Sequence, residues 1–536
     1  MTEQKPPEFF VRKATGLARL WTWWDGFWIN FSGPNIPAML MGSLVWCWLW
    51  PGGNPAIAIL ITGLMVMPMC GAYAILLATF PRAGGDYVIQ SRIFGGGLSY
   101  VINLAHSFII WLWVPVTAML WIGISGQPML SVLGYLTGNR AWLDVAIWWA
   151  TPDGIFTISI LVLAWVTFMI AVGAYWYRRV QRIGYYLGTV FIAIAFVLML
   201  ATSVESFASS YNSFMGWGFG VKDAYNLTIA KAAELGYAYV PFWDIDWNAT
   251  FVGLVPIMMF MFTYVVWGNP MYGEITGAGE LRQTWKSLWP ANLFNVFLGI
   301  MIVLTTVKGV SWEFFQSGAY LWGIGQGLHP FYPYPQLYWS LASPQIGLLL
   351  AIGMNFWIWN WIMNFICTSR VALSMAFDRL LPEFVARVGT RFRAPYGALT
   401  MFAIFALILS YVYAYHGFGK YFLFASFGSL IAYGATCYAG MLFPFLRKEK
   451  FESSVARIHV GGVPLITILG AFGGVFITWT AYRWFVDANY GINSLTGTTF
   501  VIVIYAACIV SYLFFKYYRK RQGIDVTKTF RELPYE

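Results

Sequence analysis

The chain reads as an all-α integral membrane protein of twelve transmembrane helices, the first ten forming a 5+5 inverted repeat and two more following them. Three observations predict this. Long apolar stretches recur along 536 residues that are 59% hydrophobic and only 10% charged, against about 25% charged in a soluble domain. The first and the sixth of those stretches are interrupted by proline and glycine at corresponding places. Basic residues are also one-sided. With the N-terminus taken as cytoplasmic, 26 of the 32 Lys and Arg lie in inner segments, leaving Arg140, Lys222, Lys231, Lys308, Lys420 and Arg483 outside, as the positive-inside rule requires.

The expected spans run over about 23–49, 53–80, 98–125, 154–177, 184–204, 251–275, 287–309, 345–374, 396–415, 420–446, 463–485 and 497–517, each long enough to cross ~30 Å of hydrocarbon. Spans 1–5 and 6–10 pair as two halves. Five spans per half forces opposite insertion, which makes the repeat inverted. The chain divides into a cytoplasmic N-terminal segment (1–22), a ten-helix core (23–446), helices 11 and 12 (447–517) and a basic cytoplasmic tail (518–536). The first apolar stretch is too long, and too broken, for a cleavable signal peptide. Connections 205–250 and 311–344 read as long aromatic outer loops. They either cap an outer vestibule or pack over helix ends.

The break in span 1 is Ser32-Gly33-Pro34-Asn35-Ile36-Pro37, and that in span 6 is Gly268-Asn269-Pro270. Proline removes a helix hydrogen bond and glycine relaxes the backbone. Backbone freed at membrane depth must be buried in protein or line a cavity. At the first break a new half-helix begins, whose N–H groups and positive dipole end suit a carboxylate. At the second, carbonyls of the preceding turn suit an ammonium group. Two matched breaks describe a pocket for a zwitterion near mid-membrane.

The net charge of +10 follows from basic inner loops facing anionic headgroups and needs no nucleic acid. Cys47, Cys70, Cys367, Cys437 and Cys508 all fall within spans and read as small core residues. Asn226-Leu227-Thr228 and Asn248-Ala249-Thr250 are sequon-like. No phosphate loop, metal cluster or nucleophile elbow is present, so no cofactor, metal or enzymatic reaction is expected.

Two inner-loop stretches carry a family likeness. After span 2 comes Phe80-Pro81-Arg82-Ala83-Gly84-Gly85-Asp86-Tyr87. After span 8 come Ser369-Arg370, Met375-Ala376, Asp378-Arg379-Leu380-Leu381-Pro382 and Arg393-Ala394-Pro395. These resemble, respectively, the Pro-x-x-Gly-Gly-x-Tyr and the Ser-Arg…Asp-Gly-Leu-Leu-Pro…Thr-Pro patterns of the amino acid–polyamine–organocation permeases. Glu280-Leu281-Arg282 is a fainter echo of a third motif, whose Asn-Pro is replaced by Gln283-Thr284. The likeness spans residues 20–446. It implies the leucine-transporter fold and a secondary transporter of amino acids or related amines in the plasma membrane, working by alternating access with both termini cytoplasmic. The site would comprise Ser32, Gly33, Pro34, Asn35, Ile36, Tyr264, Trp267, Gly268 and Asn269. The family's glycine-rich first break carries Pro34 and Asn35 here, so one amide donor is lost and an amide side chain stands nearby. Other cargoes on the same fold are a polyamine or a nucleobase, and a non-transporting sensor or scaffold is the alternative class.

Coupling to a proton or sodium has three candidates. His106 is the one histidine deep in a span and titrates in the physiological range when unperturbed. Asn360 and Asn364 place polar groups at mid-depth in span 8. Span 5 lacks the lysine found near Gly188 in some proton-coupled relatives. Expected partners are the lipid bilayer, a small-molecule substrate and a coupling ion, without nucleic acid.

Overall fold

The computed structural model describes residues 17, 19–416, 422–490 and 492–530. Helix dominates, as it must where hydrocarbon offers no partner to backbone N–H and C=O groups. Eleven described helices are long and apolar enough to cross a membrane. The first span escapes that count because it is divided into Trp23–Ser32 and Ile36–Leu44. The others, in order, are span 2 (Pro55–Thr79), span 3 (Gly96–Thr137), span 4 (Pro152–Ala171), span 5 (Ala174–Ala201), span 6 (Ala249–Glu274), span 7 (Leu281–Val310), span 8 (Pro344–Phe377), span 9 (Tyr396–Tyr415), span 10 (Phe422–Leu446), span 11 (Leu465–Val486) and span 12 (Leu495–Arg521). This is a multi-pass membrane protein.

Both breaks are present. In span 1, Asn35 takes a left-handed conformation (φ 44°, ψ 53°) at the head of the second half-helix. Asparagine tolerates that region better than most residues with a Cβ. In span 6, α-geometry gives way to 3₁₀ turns at Thr263–Val266 and again at Asn269–Glu274. The departure from α-helix thus begins before the Gly268-Asn269-Pro270 triplet that marks it in sequence.

Three other boundaries differ from expectation. Span 3 was expected to end near residue 125 and runs to Thr137. It passes through a π-helical turn, Ile122–Gly126, and then Pro128, which sits in the first turn of the following α-segment, where its missing N–H costs little. Span 5 starts at Ala174 and so absorbs Arg178, Arg179 and Arg182, which hydropathy alone assigns to a loop. The two long aromatic connections are largely helical: Val204–Phe219, Ala224–Glu234, Trp312–Gly323 and Pro335–Ala342. Phe207, Tyr211, Tyr225, Phe314 and Tyr338 interlock there, with Tyr225 and Phe314 stacked at 4.5 Å. Such pairs add about 0.5–1.5 kcal/mol each beyond area burial.

Span 7 packs on spans 1 and 2, span 5 on span 8, and span 11 on spans 2 and 10. Span 12 is peripheral, and its Val510, Leu513 and Phe514 face outward, as suits a lipid-facing helix. The two ends of the described chain, Leu17 and Phe530, lie at one end of the bundle, called the termini end below. Leu17 packs with Ala83 and Leu373, and Phe530 abuts Gly96 beneath the Arg92 guanidinium. The opposite, far end carries the aromatic helices.

Candidate functional site: two crossing helix breaks

The two breaks meet. A Cβ on Gly33 would overlap the Tyr264 carbonyl and lie 2.8 Å from Trp267 Cβ, so only glycine lets the spans approach this closely. One turn away, the Gly268 N–H donates to Asn30 Oδ1 at 3.0 Å, and Asn30 Nδ2 donates to Tyr272 Oη at 2.9 Å. Asn30 was not singled out in the sequence, since one Asn in an apolar stretch gives no local signal. Ser32 Oγ accepts from Asn364 Nδ2 at 2.6 Å, and Trp267 Nε1 donates to the Asn364 carbonyl at 3.0 Å. Asn364 thus ties both breaks to span 8.

A cavity of about 40 Å³ opens at this crossing, lined by Gly33, Tyr264, Trp267, Asn364 and, from span 3, Ile110 and Trp113. Trp361 and Phe365 of span 8 complete the wall. Tyr264 is held by a hydrogen bond with Ser429 at 3.0 Å and an edge contact with Trp113. The wall is almost wholly aromatic and aliphatic, with polar groups at one margin.

The expected site residues therefore divide. Gly33, Tyr264 and Trp267 line the cavity, joined by Asn364. Ser32 and Gly268 knit the breaks together beside it. Asn35 turns to span 8, where its Oδ1 accepts from Trp357 Nε1 at 2.7 Å, while its Nδ2 is buried without a partner among the described residues. Pro34 and Ile36 shape the break without lining the cavity. Asn360 donates to the Gln181 carbonyl of span 5 at 2.8 Å and stands away from it. Asn269 faces the end that holds the termini. Ile110, Trp113, Trp361 and Phe365 went unnoticed in the sequence, because aromatics are too common in this chain to mark a wall.

At the termini end the two inner-loop stretches form one constellation. Tyr87 Oη donates to Asp378 Oδ2 at 2.8 Å, and Arg92 grips the same carboxylate at 2.6 and 2.9 Å. Ser374 Oγ donates to the Ala83 carbonyl at 2.7 Å, and a Cβ on Gly84 (φ 98°) would collide with that hydroxyl. The Gly84 N–H donates to the Pro270 carbonyl at 3.2 Å. Gly85, also at positive φ (41°), leaves room for Asn269. The loop from Pro81 to Tyr87 thus docks on spans 6 and 8 together, while Pro382 opens the 3₁₀ turn Glu383–Ala386 beyond Asp378.

Two further ion pairs close this end. Arg370 holds Glu274 at 2.7 and 3.2 Å, both side chains buried. Arg182 holds Asp25 at 2.6 and 2.9 Å. Backbone hydrogen bonds join Trp21 to Glu274 and Thr276. The segment before span 1 is therefore strapped to the end of span 6.

Beyond Trp267 and Ile110, toward the termini end, lies a second and smaller cavity of about 20 Å³, lined by Asp86, His106, Asn269, Tyr433 and Thr368 among others. His106 Nε2 and Tyr433 Oη have no partner there among the described residues. On the other side of the central cavity, Trp113 borders a space of about 240 Å³, and a further one of about 250 Å³ follows. Trp322, Tyr332 and Tyr334, from the connection 311–344, line both. Residues of this connection thus line two spaces beyond the central cavity as well as packing over helix ends.

No protein-family model matches the chain, and no curated protein matches it at a significant level. Among solved structures, it superposes on MhsT in complex with L-phenylalanine with a TM-score of 0.50 and 16% sequence identity, over 85% of this chain and 98% of MhsT. The architecture is the leucine-transporter fold, with its first and sixth helices broken.

Proposed function

We propose that this chain is a secondary transporter of an amino acid or closely related small amine, belonging with the amino acid–polyamine–organocation permeases and working by alternating access. The observation that carries the reading is the crossing of two broken spans at Gly33 and Tyr264, with a cavity at the crossing. A cargo carboxylate would reach the Ile36 amide and the unpartnered Asn35 Nδ2, which stand beside the cavity rather than in its wall, only as the cavity widens. Gly33 and Asn35 spend their own N–H groups within span 1, and Pro34 has none. The ammonium would face carbonyls of the span 6 break. The aromatic wall favours an apolar side chain. The amino acid bound by MhsT is of that class. The one-sided distribution of Lys and Arg supports cytoplasmic termini in a cell membrane, which would turn the space under Trp322 outward.

About 40 Å³ admits only a few water-sized centres. The cavity is therefore smaller than an amino acid needs, and cargo would bind by widening it toward the space under Trp322. Binding would shift the conformational equilibrium only by its differential affinity for the states. The test is thermal stabilisation of the purified protein by a panel of amino acids, polyamines and nucleobases. At a hundred times Kd, cargo adds about 2.7 kcal/mol. An apolar amino acid is expected to raise Tm in the wild type and not in Gly33→Leu. Stabilisation by polyamines or nucleobases alone would reject the amino acid reading.

A further inference from the structure

Four carboxylates are buried among the described residues: Asp25, Asp86, Glu274 and Asp378. Three of them face an arginine: Arg182, Arg370 and Arg92 respectively. Asp86 is the exception. Its partners are all neutral donors. Tyr73 Oη and Thr436 Oγ1 donate to Oδ1 at 2.5 and 2.6 Å, and Asn269 Nδ2 donates to Oδ2 at 2.7 Å. A buried carboxylate without a counter-charge is costly in its ionised form, and the usual relief is a proton.

The surroundings agree. Tyr73 of span 2, Tyr433 and Cys437 of span 10, His106 of span 3 and Cys367 of span 8 are the titratable groups that face Asp86 or share its cavity. Asn103 and Ser107 of span 3, Asn269 and Pro270 of span 6 and Thr368 of span 8 are among the cavity's other, uncharged lining residues. The cavity of about 20 Å³ has room for about one water, enough to join the unpartnered His106 Nε2 to the carboxylate. Ile110 and Trp267 are shared with the central cavity, so this space is next in line from the cargo site. Burial, the largest influence, pushes the Asp86 carboxyl up to about 6 despite the three hydrogen bonds that favour its charged form.

Asp86 also sits on a joint. Asn269 Oδ1 accepts from the Asp86 N–H at 2.9 Å while its Nδ2 donates to the carboxylate. This two-point clasp fastens the inner loop to the span 6 break. Resting on the transport reading above, we propose that Asp86 is the proton-binding site of a proton–cargo symporter, reached from the central cavity by way of His106, and that its protonation loosens the Asn269 clasp to release the termini-end gate. One proton adds to the carboxylate as the gate loosens, and one leaves to the cytoplasm before it re-forms. A metal cation is disfavoured, since it would have to displace three donors that already point their hydrogens at the carboxylate.

Infrared pH titration of the protein in nanodiscs reads the site directly. A protonated-carboxyl stretch is expected to appear as pH falls through about 6 in the wild type and to be missing in Asp86→Asn. The same band in both proteins overturns the proposal. Should Asp86→Asn fail to fold, Thr436→Val removes one donor to the charged form and is expected to raise the midpoint by about one pH unit. An unmoved midpoint overturns the proposal equally. In liposomes, an inward proton gradient is expected to raise amino acid accumulation several-fold in the wild type and to have no effect in Asp86→Asn. A retained response in the variant, or a response to sodium alone, rejects proton coupling at Asp86. If no amino acid moves under any gradient, the transport reading fails, and the infrared band still decides the proton site.

Discussion

The two ends of the bundle are closed by different physics. At the termini end, three arginine–carboxylate pairs, a glycine-rich loop with no room for a Cβ and a backbone strap hold spans 1, 6 and 8 together. At the far end, aromatic side chains surround cavities of about 240 and 250 Å³, and Trp322 there is 38% exposed. Charge pairs are directional and cooperative, so such a gate holds or lets go. Aromatic packing is graded and re-forms in small steps. The first suits a latch and the second an entrance.

The contrast is tested most sharply by breaking the latch. Arg370→Ala leaves Glu274 buried without its partner and is expected to cost about 3–5 kcal/mol, read by thermal unfolding. Replacing both residues by apolar ones of similar volume should restore most of it. The pH dependence comes next. The Asp86 carboxyl stands at about 6 in the folded protein against 3.8 unperturbed. The folded state therefore binds this proton more tightly than the unfolded one. Its contribution to stability is fully present below pH 3.8 and is lost as pH rises through about 6. The difference is about 3 kcal/mol, measurable as the pH-dependent part of Tm that disappears in Asp86→Asn.

Gly33→Leu pushes a side chain into the Tyr264 carbonyl. Overpacking of this kind costs about 1–3 kcal/mol, and cargo affinity should drop at least tenfold in an equilibrium binding assay. The smallest effect is expected at the entrance. Trp322→Ala should change stability by less than about 1 kcal/mol, because the ring is partly exposed, yet speed cargo release toward the vestibule in a washout measurement. A loss at Trp322 as large as that at Arg370 would erase the distinction between the ends.

Much of the fold was legible in the sequence because its signals are collective. Apolar length, basic asymmetry and paired proline–glycine interruptions survive any single unusual residue. The two inner-loop stretches were visible for the same reason, though not that Tyr87, Arg92 and Asp378 converge. That contact joins positions nearly three hundred apart in sequence (Tyr87 and Asp378, |i−j| = 291). The cavity wall was half legible. Gly33, Tyr264 and Trp267 sit at the breaks, whereas Trp113 and Trp361 sit beside small helix irregularities, at Leu112 and Met363–Phe365, that no paired glycine and proline announces in the sequence. Asn269 lies inside the break yet turns to the inner loop, because its side-chain amide matches both the N–H and the carboxylate of Asp86. Asp86 itself stood in a recognised stretch, but its lack of a cationic partner is a property of three dimensions.

The central claim is that the crossed breaks carry an amino acid through the membrane. Its most direct test is uptake of labelled amino acids by the purified protein in sealed liposomes, with and without imposed proton and sodium gradients, alongside Gly33→Leu. Concentrative uptake of an apolar amino acid by the wild type, absent in Gly33→Leu, is the expected result. Uptake unchanged in Gly33→Leu, or no uptake of any amino acid by the wild type under any gradient, would contradict it.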